Sequence, residues 1–195
     1  MNATLRILLL SIASQWLVSA SSKSAPTAPD MTTTIHVQHI SVESRRDFPA
    51  TIAEFEKQLG TFDPAAVAAL AAPNPPVEEI RARLKALEGT SGFMRFGLVQ
   101  SLGDLQPLVG QPNSHARQYV IGNPLIAVQM TQYHPGVGLY VPVRVLIYED
   151  PHGKTHLEYD RPSSLLEQFH DPRISKVAEM LDQKLAALVA TTAGQ

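Results

Sequence analysis

Apolar and polar positions alternate over residues 33–42, with Ile35 and Val37 on one side and Thr34, His36 and Gln38 on the other, so a half-buried strand is predicted there. The period then lengthens: Phe48, Ile52, Phe55 and Leu59 recur at helical spacing up to Gly60. Ser44 followed by Asp47 resembles a capping box, and Pro49 falls in the first turn, where a missing N–H costs nothing. Asp63-Pro64 opens an alanine-rich helical stretch to Ala72, Pro73 and Pro76 interrupt it, and residues 77–88 resume with Ile80, Leu84 and Leu87 on one stripe. Residues 102–109 have modest helical character, and an extended segment begins near Ala116. Asn123 is placed to cap a helix whose first residue is Pro124.

The clearest hairpin signal lies further on. Residues 141–148 and 155–159 flank Glu149, Asp150, Pro151, His152 and Gly153, a group of turn formers. Val141, Val143, Val145 and Ile147 face one way and Leu146 and Tyr148 the other, so this arm is predicted to be central and covered by helix on at least one side. A last helix over 175–190 carries Val177, Met180, Leu181, Leu185 and Leu188 as a stripe suited to lie across a sheet. Strands and helices in this order predict an α+β fold: a single antiparallel sheet with helices packed on one face.

Within this pattern, Gly122-Asn123-Pro124 between two apolar runs, Leu139-Tyr140-Val141-Pro142 opening a strand, and Tyr159-Asp160-Arg161-Pro162 closing the hairpin resemble the bacterial and fungal family called domain of unknown function 302. The resemblance covers about residues 33–190 and implies a compact α+β domain, often dimeric, with no agreed activity. In the family's usual arrangement the first helix leads quickly to a Phe-Gly-Leu strand, matched here by Phe96-Gly97-Leu98. The resemblance therefore implies that the helices of 62–90 are an insertion packed as an appendage, within a single domain over 33–190 and ahead of a short 191–195 tail.

Composition narrows the function classes. With 195 residues, 44% of them hydrophobic and 17% charged, the chain can bury one core and is short for two. A formal charge of -2, with no run of like charge, does not suit a phosphate backbone, so no nucleic-acid partner is expected. The absence of cysteine removes disulfides, thiolate nucleophiles and Cys-built zinc sites. Residues 5–18 are apolar, follow few positive charges and lead to Val18-Ser19-Ala20, a pattern suited to signal peptidase cleavage after Ala20. That stretch is too short and too interrupted for a transmembrane helix. Met31 is the rival start, directly before the first predicted strand. The first reading implies a secreted or periplasmic protein, the second a cytoplasmic one, and in both residues 21–30 read as a disordered connector within the 1–32 segment.

The chemistry must come from the seven histidines and the polar residues that point off strands. His152, His156 and Glu158 are metal-ligand types, but one histidine lies in a turn and the other on a strand, so no metal site and no cofactor are expected. If the hairpin folds symmetrically about Pro151, Arg144 lies opposite Glu158 and Leu146 opposite His156 on one face. The plain reading is a cross-strand ion pair worth at most about 1 kcal/mol. The functional one has Arg144 recognising a carboxylate or phosphate, oriented by Glu158, with His156 as proton donor or acceptor and His36 joining from strand one. Tyr119, Tyr148 and Tyr159 offer aromatic bodies with polar tips for a groove, although such residues are more often ordinary core or rim.

Two functions survive. One is a binding or accessory protein, possibly homodimeric, holding a small organic ligand between its sheet and the C-terminal helix, with Arg144, His156, Glu158, Tyr159, Tyr119 and His36 as ligand-binding candidates. The other is a cofactor-independent isomerase, lyase or hydrolase using His156 and Glu158 as acid and base, which requires both to converge on one substrate position.

Overall fold

Aspartate followed by proline, or asparagine followed by proline, starts three of the helices. In the computed structural model, which describes residues 32–97 and 99–195, Asp63 precedes α2 (Pro64–Ala68), Asn123 precedes α4 (Pro124–Thr131) and Asp171 precedes α6 (Pro172–Ala193). Each side-chain oxygen accepts a backbone N–H of the first turn, and each proline occupies a position that needs no donor. The first helix, α1 (Phe48–Lys57), is capped by Asp47, whose carboxylate accepts Ala50 N–H at 2.9 Å. Ser44 instead exchanges a 2.9 Å hydrogen bond with Thr51, so the cap is one residue before the helix rather than the predicted box. Two further helices are α3 (Val77–Ala86) and α5 (Pro162–Leu166). The signal-like segment, Ala20, the Met31 start and Leu98 lie outside the described residues.

The strands are β1 (His39–Glu43), β2 (Gly60–Thr61), β3 (Met94–Arg95), β4 (Gln100–Ser101), β5 (Ala116–Gly122), β6 (Val143–Glu149) and β7 (Thr155–Asp160). They form one sheet in the order β1-β7-β6-β5-β3-β2, with β4 also paired to β5. The fold is therefore mixed α/β with one sheet and several helices, but the sheet is not purely antiparallel, because β2 and β3 run parallel. Parallel neighbours need a long crossover, and the chain through α2 and α3 supplies it by returning to the same end of the sheet. Strand one is shorter than its pattern predicted: residues 35–38 are irregular and pairing begins at His39.

The hairpin register also departs from the symmetric expectation. Leu146 pairs with Glu158 and Tyr148 with His156, so the pivot is His152 rather than Pro151. The turn explains it. Asp150 N–H bonds Lys154 O at 2.8 Å, the Asp150 carboxylate accepts the N–H groups of His152 and Lys154, and Gly153 adopts φ +75°, which closes a three-residue loop. Moving the pivot by one residue moves every partner by two. Side chains keep their face, but Arg144 no longer opposes Glu158; its neighbour on β5 is Val120.

Residues 35–195 form one compact unit. Phe48, Ile52 and Phe55 of α1 and Ala178, Leu181, Leu185 and Leu188 of α6 share a core with Val143, Val145, Ile147 and Leu157 of the sheet. A smaller cluster of Ala66, Ile80 and Leu84 joins α2 to α3, with Phe62, Val67 and Leu125 packed against it. Among the described residues no helix is long and apolar enough to cross a membrane.

Candidate functional site

At the end of β5 the chain must leave the sheet and enter α4 in a single residue. Asn123 does this with all of its amide: Oδ1 accepts Leu125 N–H at 2.9 Å, and Nδ2 donates to Gly92 O at 2.9 Å and to the Glu88 carboxylate at 2.7 Å. Partial burial pushes the Glu88 carboxyl up, yet hydrogen bonds from Lys85 and Asn123 and the positive charges of Lys85 and Lys184 outweigh it and hold the group below its ordinary value. The residue before, Gly122, lies against the strand that follows α4. A Cβ there would stand 3.1 Å from Pro142 Cβ and 3.4 Å from the Phe96 ring. A bulkier side chain at 122 would push these two apart.

Behind this junction is a cavity of about 250 Å³. Ile121 and Val143 of the sheet form its floor, Ile126, Ala127 and Met130 of α4 one wall, and Leu181 of α6 another. Phe62 and Val67 close it from the segment of α2, and Phe62 stacks on Phe96 with ring centres 4.3 Å apart. Asn123 is the polar side chain of the lining, and its hydrogen bonds are already committed. The hollow is larger than the roughly 150 Å³ apolar void that stays dry and admits benzene, so it is suited to a hydrocarbon or an aromatic ring.

The opposite side of the sheet carries a polar network. β1, β7 and β6 bring His39, Ser41, Glu158, Asp160 and Tyr148 together on that face. Glu158 Oε1 accepts from Tyr148 Oη at 2.9 Å and Ser41 Oγ at 3.1 Å. His39 Nε2 lies 3.3 Å from the other Glu158 oxygen, and its Nδ1 lies 3.0 Å from Asp160. Asp160, more than the opposing burial, raises the His39 pKa, with Glu158 adding to it. Burial raises the Glu158 carboxyl, but the hydrogen bonds from Tyr148, Ser41 and His39 together bring it below its ordinary value.

The residues singled out from sequence divide between these surroundings. His156 and Glu158 share the open face, but their carboxylate and hydroxyl hydrogen-bond partners differ: His156 Nε2 meets Asp150 at 3.1 Å, while Glu158 accepts from Tyr148 and Ser41. Tyr148 lies between the two, stacked on His156 and bonded through its hydroxyl to Glu158. Tyr119 and Tyr159 point to the covered face. Tyr119 is fully enclosed, packs edge-on against Phe55 at 4.9 Å and donates to Glu56 at 2.8 Å; burial first and that carboxylate second raise its pKa. Burial likewise raises Tyr159. His36 is exposed and lines a separate hollow with Gln38, Arg161 and Glu179. Arg144 is exposed at the start of β6. Among the described residues no group of three or more metal-ligating side chains is arranged to hold an ion.

Sequence reasoning assigned no role to His39, and it expected a ligand groove between the sheet and the C-terminal helix without finding the residues that line this cavity. A signal was present for them: Gly122, Asn123, Pro124, Val141 and Pro142, five of the residues that carried the family resemblance, line it.

Comparison with known proteins agrees with that resemblance. The family model described as "Domain of unknown function DUF302" matches residues 69–192. Among solved structures, the crystal structure of an uncharacterized conserved DUF302 protein from Bacillus stearothermophilus is similar with a TM-score of 0.55 and 17% identity. The similarity covers 79% of this chain and 97% of that one, and at this identity it shows the fold alone. No curated protein matches the chain.

Proposed function

We propose, from the premise that this chain belongs to the domain of unknown function DUF302 family, that it is a small-ligand-binding or accessory protein whose ligand occupies the cavity between the sheet, α4 and α6. One observation carries the reading: an apolar hollow of about 250 Å³ whose wall contains Gly122, Asn123, Pro124, Val141 and Pro142. A partly buried apolar lining with its single amide already bonded offers dispersion contacts and removal of apolar surface from water, which favour binding but supply no acid, base or nucleophile.

Each half of the reading has support in the geometry. The floor is rigid, because β5 and β6 are paired from Ala116 to Ile121 and the Asn123 cap ties α4 to the segment at Gly92. The cavity is open to solvent beside Phe62, Val67, Phe96 and Ala127, which are only half-buried. An enzyme built on His156 and Glu158 lacks an observation of this kind, since their hydrogen bonds lead to different partners and neither lines the apolar cavity.

The test is calorimetric titration of octanol into the full chain and into Ala127→Phe, which places a ring in the hollow. The wild type should bind, the variant should lose binding by about tenfold or more as several buried methylene contacts vanish, and its circular dichroism should stay unchanged. Equal binding by the two proteins would remove the cavity as the site.

A further inference from the structure

A second hollow, of about 500 Å³, opens on the polar face of the sheet, where the hairpin strands stop pairing. The register between β6 and β7 runs from Glu149 and Thr155 to Leu146 and Glu158 and ends there, although both strands continue. Two residues further along each strand stand Arg144 and Asp160, held from outside by Val120 of β5 and His39 of β1. Both line the hollow. Arg144 is exposed and, among the described residues, forms no ion pair, with Asp160 or any other carboxylate. Asp160 gives Oδ1 to His39 Nδ1 at 3.0 Å, which leaves Oδ2 without a hydrogen-bond partner among the described residues. Val120, Tyr140 and Leu165, all half-buried, supply an apolar wall, and Leu139 at the rim is 82% exposed.

We propose that this hollow is a separate binding site for a zwitterionic α-amino acid with an apolar side chain, its carboxylate on Arg144, its ammonium on Asp160 and its side chain against Val120, Tyr140 and Leu165. The site is independent of the apolar cavity, whose floor of Ile121 and Val143 side chains belongs to the other face of the sheet. An α-amino acid carries both charges on one carbon, so its receptor needs a cation and an anion side by side. Neighbouring strands lie about 5 Å apart, and Arg144 and Asp160 occupy corresponding positions on two of them, on one face. The guanidinium presents paired donors that match the two oxygens of a carboxylate, and the open Asp160 oxygen accepts from an ammonium. A ligand with one charge only meets repulsion: a lone carboxylate from Asp160, a lone ammonium from Arg144. The apolar wall offers a side chain surface to bury and excludes part of the water that would screen both pairs.

Calorimetric titrations of phenylalanine, phenylpropionate and phenethylamine into the full chain, Arg144→Gln and Asp160→Asn test this, the second ligand lacking the ammonium and the third the carboxylate. Wild type should bind phenylalanine about tenfold more tightly than either. Arg144→Gln should weaken phenylalanine about tenfold, the size of a charge-assisted hydrogen bond at a partly open site, without weakening phenethylamine. Asp160→Asn should weaken phenylalanine by a similar factor without weakening phenylpropionate. If phenylpropionate or phenethylamine binds wild type as tightly as phenylalanine, the zwitterion assignment is overturned. Phenylalanine affinity that is unchanged in either variant, or abolished by octanol, would place the ligand elsewhere and overturn the site. Absence of phenylalanine binding to the wild type would remove the proposal and leave the cavity reading to its own octanol titration.

Discussion

The two faces of the sheet are made by the same strands and obey different rules. On β6, Val143, Val145 and Ile147 are buried while Arg144 is exposed and Leu146 and Tyr148 are half-exposed; β7 repeats this with Thr155, Leu157 and Tyr159 against His156, Glu158 and Asp160. On the covered face a side chain is valued for volume, because it packs against α1 and α6 in the core. On the open face it is valued for its polar atoms, and each contact is weakened by water. The covered side holds the fold together. The open side tunes it.

Paired leucine truncations should expose this contrast most strongly. Leu157 is fully enclosed, so Leu157→Ala should lower unfolding free energy by about 2–5 kcal/mol, through lost transfer energy plus the cavity left behind. Leu146, on the open face of the neighbouring strand, should cost about 1 kcal/mol or less in the same urea titration. Equal losses would mean that the open face is covered by something else in solution. A smaller effect should follow from Asn123→Ala, where the sheet ends. It removes an N-cap worth about 1 kcal/mol and leaves Gly92 O without that donor, so a loss of about 1–2 kcal/mol is expected, together with weaker octanol binding. Unchanged binding would show that the α4 cap does not shape the cavity.

The smallest effect belongs to the open face and depends on pH. The His39 pKa is raised by Asp160 first, against burial, with Glu158 contributing. Its contribution to stability is therefore fully present below the ordinary value of 6.5 and disappears as pH rises through the raised folded value. The Glu158 carboxyl is lowered, so its part is present above its ordinary 4.5 and fades as pH falls through the folded value. His39→Gln should accordingly destabilise by up to about 1 kcal/mol near pH 5.5 and by less near pH 8.5, measured by urea midpoints at both. An identical difference at the two pH values would show that the imidazole is structural filling rather than a charged partner.

Sequence and structure agree where the information is local. The periodicity of α1, the Asn123-Pro124 start of α4 and the alternation on β6 are all visible within about ten residues, because a cap or a strand face is decided by immediate neighbours. The C-terminal helix begins at Pro172 rather than residue 175, and Asp171-Pro172 was a readable start signal. The turn was harder. Its formers were evident, but choosing His152 over Pro151 as pivot depends on Gly153 taking a positive φ, and two alternative pivots put side chains on the same faces. Strands of two residues, such as β2 and β3, have no period to read.

Among the candidate ligand residues, Tyr159 separates from His156 and Glu158 by alternation within β7, whereas Tyr119 was separable from Arg144, His156 and Glu158 only once strand order and register were known. The sequence by itself determined the family, the principal helices, the hairpin and which side chains of β6 share a face, since all of these follow from short-range geometry. Only the tertiary structure decided the parallel pairing, the His39 network and the cavity, whose wall draws on residues as distant as Phe62, Gly122, Pro142 and Leu181. Side chains separated that widely along the chain meet only when the whole core closes, because the energy that brings them together is apolar burial, which has no direction and leaves no spacing to read.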